Sequence, residues 1–156
     1  MLLYMSSSHS ESRSTPLHSV SVAGAVVRDD GRVLAIQRAD NGTWEPPGGV
    51  LELAEPIENG LRREIYEETG VKATVEHLSG VYKNMTRGIV ALVFRCRPEE
   101  TATALSEETT AVAWLTPAEV SDRMSEVYAV RVLDALRPGA GPHVRSHDGQ
   151  RLIADE

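Results

Sequence analysis

The amino-acid sequence predicts an α/β chain of the α+β kind, a mixed β-sheet with a few helices packed on it. Three observations predict this class. Short apolar, β-branched runs recur at Val20 to Val27, Val33 to Gln37, Val71 to Val81, Ile89 to Arg97 and Ala111 to Leu115. Between them, Ile57, Leu61 and Ile65 repeat at helical spacing, and a second helical region follows Thr116. No internal repeat or second domain is evident, so both kinds of element must share one core.

The first strand, Val20 to Val27, is small and β-branched and reads as buried. Asp29-Asp30-Gly31 is a turn signal, so this strand and Val33 to Gln37 are expected to form a hairpin. Ala39 to Thr43 is a loop. Trp44 to Gly49 carries two prolines and two glycines, which excludes a helix or a central strand and predicts a shaped loop leading into Val50 to Leu53. Pro56 suits the first turn of a helix, Glu58 complements the helix dipole, and Gly70 suits a left-handed stop after Thr69. Tyr82 to Gly88 joins the two central strands, and the acidic stretch Pro98 to Thr110 is a loop. Thr116-Pro117-Ala118-Glu119 combines an N-cap, a proline at the first helical position and a carboxylate three residues on. A short helix to about Met124 and another from Ser125 to Leu136 follow, ended by Pro138-Gly139. The resulting layout is a flexible N-terminal arm (1–16), one domain (17–138) and a C-terminal tail (139–156) able to form a small hairpin.

With 156 residues, 41% hydrophobic and 25% charged, the chain is the size of one globular domain with a real core. Its net charge of -7 argues against a nucleic-acid backbone or an anionic membrane as partner. A nucleotide-derived small molecule stays open, because a divalent metal can supply positive charge locally. Cys96 is the only cysteine, so no disulfide framework or thiolate metal site exists, which fits a cytoplasmic location. Met1 to Tyr4 is too short for a secretory segment, and no apolar run reaches the length of a membrane span.

The informative stretch is Gly49 to Val71. Glu64, Glu67 and Glu68 stack along one side of the helix. On a wheel at roughly 100° per residue, Glu64 and Glu68 lie along the edge of the Ile57–Leu61–Ile65 arc, and Glu67 lies just beyond. A charged run is ordinarily a solvated face. Here the acids abut the buried arc, and like charges at this spacing repel by roughly 0.2–0.5 kcal/mol per pair even when exposed. A divalent cation resolves the crowding. Oxygen ligands without His or Cys suit Mg²⁺ or Mn²⁺.

The segment resembles the Nudix box, Gly-x5-Glu-x7-Arg-Glu-U-x-Glu-Glu-x-Gly-U, where U is a bulky aliphatic residue. Gly49, Glu55, Arg63, Glu64, Ile65, Glu67, Glu68, Gly70 and Val71 agree at every defining position. A chance match is on the order of 10⁻⁷ at average residue usage. The Trp-x-x-Pro-Gly-Gly approach and the Trp114-Leu-Thr-Pro-Ala-Glu segment extend the resemblance over roughly Val20 to Leu136. It implies a Nudix fold, a mixed β-sheet sandwiched between helices, and hydrolysis of a nucleoside diphosphate linked to another group. It also implies that Glu64, Glu67 and Glu68, with the Gly49 carbonyl, hold the metal. Arg63 would pair with Glu55 and fix the loop against the helix. Glu64, or a ligand-bound hydroxide, would activate the attacking water, the base differing among members. Many relatives dimerise, so a homodimer is compatible.

Departures are few. Ala54 and Pro56 flank Glu55 where many members have Gly and Ser. Gly60 replaces a common alanine at up to roughly 1 kcal/mol of helix stability, and close packing on the sheet would account for it. Substrate signals are thinner. A proline that marks some ADP-ribose-cleaving members is replaced by Thr86, and the longer motif of NADH-cleaving members is absent. Trp44 is a candidate for stacking on a base, with packing as the plainer alternative. Arg38, Lys83 and Arg87 are candidates for phosphate contacts, Glu107 and Glu108 for an additional carboxylate, and Tyr82 for the site or the core. Trp114 and Cys96 read as core, and His147-Asp148-Gly149 as a turn. A non-catalytic nucleotide sensor is the alternative reading, disfavoured by the intact acid set. A diphosphate isomerase would lean on a cysteine that a lone mid-strand Cys96 does not supply.

Overall fold

The computed structural model describes residues 14–139 and 141–154. Most of the expected N-terminal arm therefore lies outside the described residues. The elements in chain order are β1 (Ser19–Val26), β2 (Val33–Arg38), β3 (Trp44–Glu45), β4 (Gly48–Val50), α1 (Ile57–Thr69), β5 (Ala73–Asn84), β6 (Ile89–Pro98), β7 (Thr109–Leu115), α2 (Pro117–Arg123), α3 (Glu126–Leu136), β8 (His143–His147) and β9 (Leu152–Ile153). They build a six-stranded mixed sheet, β4-β1-β6-β5-β8-β9, and a three-stranded sheet, β3-β2-β7. No described helix is long and apolar enough to cross a membrane.

The expected β1–β2 hairpin does not form. The turn chemistry is present: the Arg28 and Gly31 amides close the turn on the Arg32 and Arg28 carbonyls, and Val27 bridges Val33. Beyond that bridge the strands part. β1 is buried on both faces from Val22 onward, and both of its edges are occupied, by β4 antiparallel and by β6 parallel. β2 therefore pairs with β3 and β7 in the second sheet.

Alternation along β2 explains why its run looks continuously apolar. Leu34 faces a core with Val22, Val26, Leu61 and Ile65. Val33 and Ala35 face the opposite core with Leu115, Val120, Met124 and Val132. A smaller cluster of Ala23, Tyr82, Ala91 and Val93 packs under Val130 of α3. The large sheet thus lies between α1 and α3.

Helix α1 starts one residue later than expected, with Pro56 as its N-cap, and ends where Gly70 turns left-handed at φ 76°. The Gly70 amide donates to Tyr66 O, and the Thr69 hydroxyl bonds Ile65 O and receives the Val71 amide. Leu61 and Ile65 are fully buried, but Ile57 is 42% exposed. Gly60 does not serve packing on the sheet. A Cβ there would lie 2.5 Å from Leu51 Cδ1 and 2.8 Å from Glu55 Oε1, so the glycine makes room for the loop before the helix.

The remaining differences concern strand lengths and the tail. Trp44–Glu45 and Gly48–Val50 are short edge strands within the run read as a shaped loop. β5 begins at Ala73 and extends to Asn84, past the expected end at Val81. Residues of the expected tail form β8 and β9, antiparallel through Ser146–Ile153 and His147–Leu152. β8 also runs parallel to β5, which makes it part of the main sheet.

Candidate active site

Two backbone features bring the acidic helix to the sheet edge. Gly48 lies so close to β1 that a Cβ would stand 2.8 Å from Ala23 Cα. Its amide donates to Glu68 Oε1 at 2.9 Å. At Gly49 a Cβ would fall 2.5 Å from the Glu64 carboxyl carbon. Both glycines are required by close approach, and together they set β4 directly on two carboxylates of α1.

Arg63 ties the preceding loop to the same helix. Its Nε and Nη2 donate to the two oxygens of Glu55 at 2.9 and 2.6 Å, and the Glu52 amide donates to Glu55 Oε1 at 3.0 Å. These donors hold the Glu55 carboxyl down to about 2. Arg63 Nη1 also reaches Glu67 at 3.2 Å and Glu64 at 3.4 Å. The pairing of Arg63 with Glu55 is the one the resemblance implies.

Gly48, Gly49, Glu64 and Glu68 open into a cleft of about 570 Å³, whose other walls carry Arg38, Asp40, Glu107 and Glu108. Arg38 is held by Asp40, its Nη2 2.6 Å from Oδ2, and lies 3.5 Å from Glu45. Negative charge therefore exceeds positive in the cleft. Burial raises the Glu68 carboxyl to about 7, partly opposed by the Gly48 amide and reinforced by Glu64, Glu45 and Glu108. Burial also raises Glu64, against the pull of Arg63. A cleft of similar size, about 600 Å³, lies at Ser79, Asp134 and His143. Its buried acid is neutralised by Arg145, whereas no cation among the described residues pairs with Glu68, so charge and not volume distinguishes the first.

The residues able to hold a divalent cation here are Glu64, Glu68 and the Gly49 carbonyl, all oxygen donors, with Glu67 on the rim. Glu67 is exposed and held by Arg63. Among the described residues, no three His, Cys, Asp or Glu side chains converge on one point.

The structure does not bring the other candidates into this cleft. Trp44 packs against the second core, where Arg123 lies 5.9 Å from its ring centroid. Tyr82 is fully buried, and its hydroxyl donates to Asp134 Oδ2 at 2.7 Å, which makes it a core residue. Lys83 lies on β5, three strands from β4 and so about 14 Å away at ~4.8 Å per strand. Arg87 lines a separate small cavity with Arg131 and His147. Trp114 is half-buried against the first core, its Nε1 bonded to Thr101 O, and Cys96 is buried.

Sequence reasoning missed Glu45 and Asp134. Glu45 is 8% exposed, and its position beside two prolines carries no pattern signal. Asp134 is 2% exposed and accepts from the Tyr82 hydroxyl at 2.7 Å and from Arg145 Nε and Nη2 at 2.7 and 2.8 Å. A signal existed: Asp134 stands seven residues after Val127, on the buried stripe of α3.

The family model of the NUDIX domain matches residues 17–136. A MutT-like protein of Streptomyces ambofaciens is 69% identical, with 98% of each chain covered. The CTP pyrophosphohydrolase of Escherichia coli is 31% identical over 64% of this chain and 78% of its own. The crystal structure of a NUDIX hydrolase from Nitrosomonas europaea, 21% identical, superposes with a TM-score of 0.73 over 85% of this chain and 81% of its own. An acid-lined helix set against a double-glycine edge strand, with these matches along nearly the whole chain, makes the protein a member of the Nudix hydrolase family.

Proposed function

We propose that the protein hydrolyses a diphosphate linkage in a nucleoside diphosphate derivative, such as a nucleoside triphosphate, ADP-ribose or a nucleotide sugar, with Mg²⁺ or Mn²⁺ as cofactor. The observation that carries this reading is the pair of like-charged carboxylates, half-buried Glu64 and buried Glu68, facing a backbone edge in an open cleft. Acids arranged in this way are unfavourable alone and favourable around a cation.

The oxygen chemistry of these donors suits such an ion, and Glu67 would turn from Arg63 to join them. Glu64, Glu67, Glu68 and the Gly49 carbonyl would hold it, and family hydrolases generally use divalent metals. A bound divalent ion neutralises phosphate oxygens and lowers the pKa of water. The chain's own groups do the rest. Arg63 holds Glu55, and through it the loop from Glu52, so the distance between α1 and β4 stays set. The Gly48 amide fixes the Glu68 carboxylate. Glu64, half-buried and raised by burial, takes the proton of the attacking water as general base, a contribution of typically ~10²–10⁴-fold. Arg38, Glu107 and Glu108 border the substrate's path into the cleft. The relative named a CTP pyrophosphohydrolase favours starting the search with nucleoside triphosphates.

A hydrolysis screen tests the reading. Nucleoside triphosphates (oxidised ones included), ADP-ribose, dinucleoside polyphosphates and nucleotide sugars are incubated with Mg²⁺ or Mn²⁺, and products are identified. Metal-dependent release of a nucleoside monophosphate is expected. Tight binding of one of these compounds without product in either metal would replace hydrolysis with ligand sensing.

A further inference from the structure

A cavity of about 140 Å³ lies between α3 and the large sheet, lined by Ser21, Asn84, Arg87, Tyr128, Arg131 and His147 among others. Arg131 is anomalous there. Its Nε is buried and has no hydrogen-bond partner among the described residues. Glu45, the carboxylate whose charge acts on Arg131, is held 3.5 Å from Arg38. Asp134, three residues along α3, is held 2.7 Å from Arg145. Beside its guanidinium lie two rings, with Cζ 5.1 Å from the Tyr128 centroid and 5.5 Å from that of Tyr82. Rings attract a cation but do not replace a missing acceptor, and a buried Nε–H without one is costly.

His147 points the same way independently. It is 2% exposed, and burial holds its imidazole below the ordinary pKa, so the ring is neutral at neutral pH. Its Nδ1 accepts the Gly149 amide at 3.0 Å, which assigns the proton to Nε2. That Nε2 lies 3.4 Å from Arg131 Nη2, itself only a donor. Two donors therefore face each other, and the acceptor both could share is missing.

We propose that this cavity is an oxyanion site in which Arg131, Arg87 and His147 bind a phosphate-class anion. No Asp or Glu is among its lining residues. Its volume falls below the ~300–1,000 Å³ of sites for whole small molecules, so it takes a single group. Ser21, on its wall, pairs across the β1–β4 edge with Val50, on the wall of the acidic cleft. The cation-lined cavity and the acid-lined cleft are thus neighbours. The anion is either free phosphate or the distal group of a substrate bound in the cleft.

Inorganic phosphate is titrated calorimetrically into the full-length, metal-free protein, with chloride at matched ionic strength as control. The wild type binds phosphate. Arg87→Ala, at an exposed side chain, weakens binding by about tenfold, and Arg131→Gln by at least as much. If Arg131→Gln fails to fold, Arg87→Ala decides alone. No binding by the wild type, or binding that Arg87→Ala leaves undiminished, overturns the proposal. Competitive inhibition of turnover by phosphate identifies the anion as the substrate's own group, and phosphate binding without competition identifies the free anion. The titration uses neither metal nor nucleotide, so its outcome is separate from that of the hydrolysis screen.

Discussion

The Gly48 amide donates to Glu68 Oε1 at 2.9 Å, a bond between residues twenty apart in the chain. It joins the edge of the sheet to the acidic face of α1. Gly48 is pressed on β1 and Glu68 is buried, so neither partner has an alternative. The consequences of this placement differ for the backbone and for the carboxylate.

Glu68→Gln separates charge from shape, because the amide oxygen can still accept from Gly48. The folded-state value of about 7 stands above a carboxyl's ordinary 4.5. The folded protein therefore holds this proton more tightly than the unfolded chain does. Metal-free stability from this group is complete below about pH 4.5 and declines as pH rises toward about 7. Thermal unfolding in chelator should show Glu68→Gln more stable than wild type at pH 8, by about 1–3 kcal/mol, with the difference gone near pH 4.5. The same variant should lose metal-dependent turnover.

Gly48→Ala and Gly49→Ala should part company. At Gly48 the new methyl meets Ala23 Cα in the backbone of β1, which cannot retreat. A loss of about 1–3 kcal/mol in chemical denaturation is expected. At Gly49 the methyl meets the end of Glu64, which can rotate away. That variant should fold within ~1 kcal/mol of wild type but lose turnover by about 10–100-fold, as displaced ligand geometry does.

Arg63→Lys keeps the charge and removes the fork that grips both Glu55 oxygens. A Lys point charge cannot hold Glu55 and border Glu64 and Glu67 together. Turnover should fall by about 10–100-fold with little change in the melting temperature, because the pair is partly exposed. The Glu55 contribution to stability is present above about pH 4.5 in the wild type and lost as pH falls toward about 2. In the lysine variant this acid-side loss should be smaller, as acid titration followed by circular dichroism will show.

Tyr82→Phe tests a core assignment. It removes the hydroxyl that donates to buried Asp134 while Arg145 keeps its two bonds to that carboxylate. A cost of about 1–2 kcal/mol in urea denaturation is expected, with kcat and KM unchanged. A changed KM would return Tyr82 to the substrate site.

Much of the architecture is legible in local residue chemistry. Pro56, Gly70 and the Leu61–Ile65 stripe mark α1, and the Thr116–Glu119 capping box marks α2, where both reciprocal bonds form. These signals lie within a few residues of what they control. The Arg63–Glu55 pairing is legible through the spacing of the box. Pairing of strands is less so. The Asp29-Asp30-Gly31 turn forms as its residues dictate, but occupancy of both β1 edges decides against the hairpin. Ile57 fits the apolar arc by angle and is nonetheless exposed, because angle on a wheel does not fix what lies opposite.

The sequence by itself determined the identity of the acids, their helix and the glycines that let a strand lie on them, because each depends on short-range spacing and backbone geometry. Only the tertiary structure decided which candidates share the cleft. Trp44, Tyr82 and Lys83 fall elsewhere because three strands and a second core intervene. Glu45, Asp134, Arg131 and His147 acquire their character from burial and from the partners that distant segments supply or withhold. The pKa of a carboxyl and the need of a guanidinium are set by that three-dimensional environment.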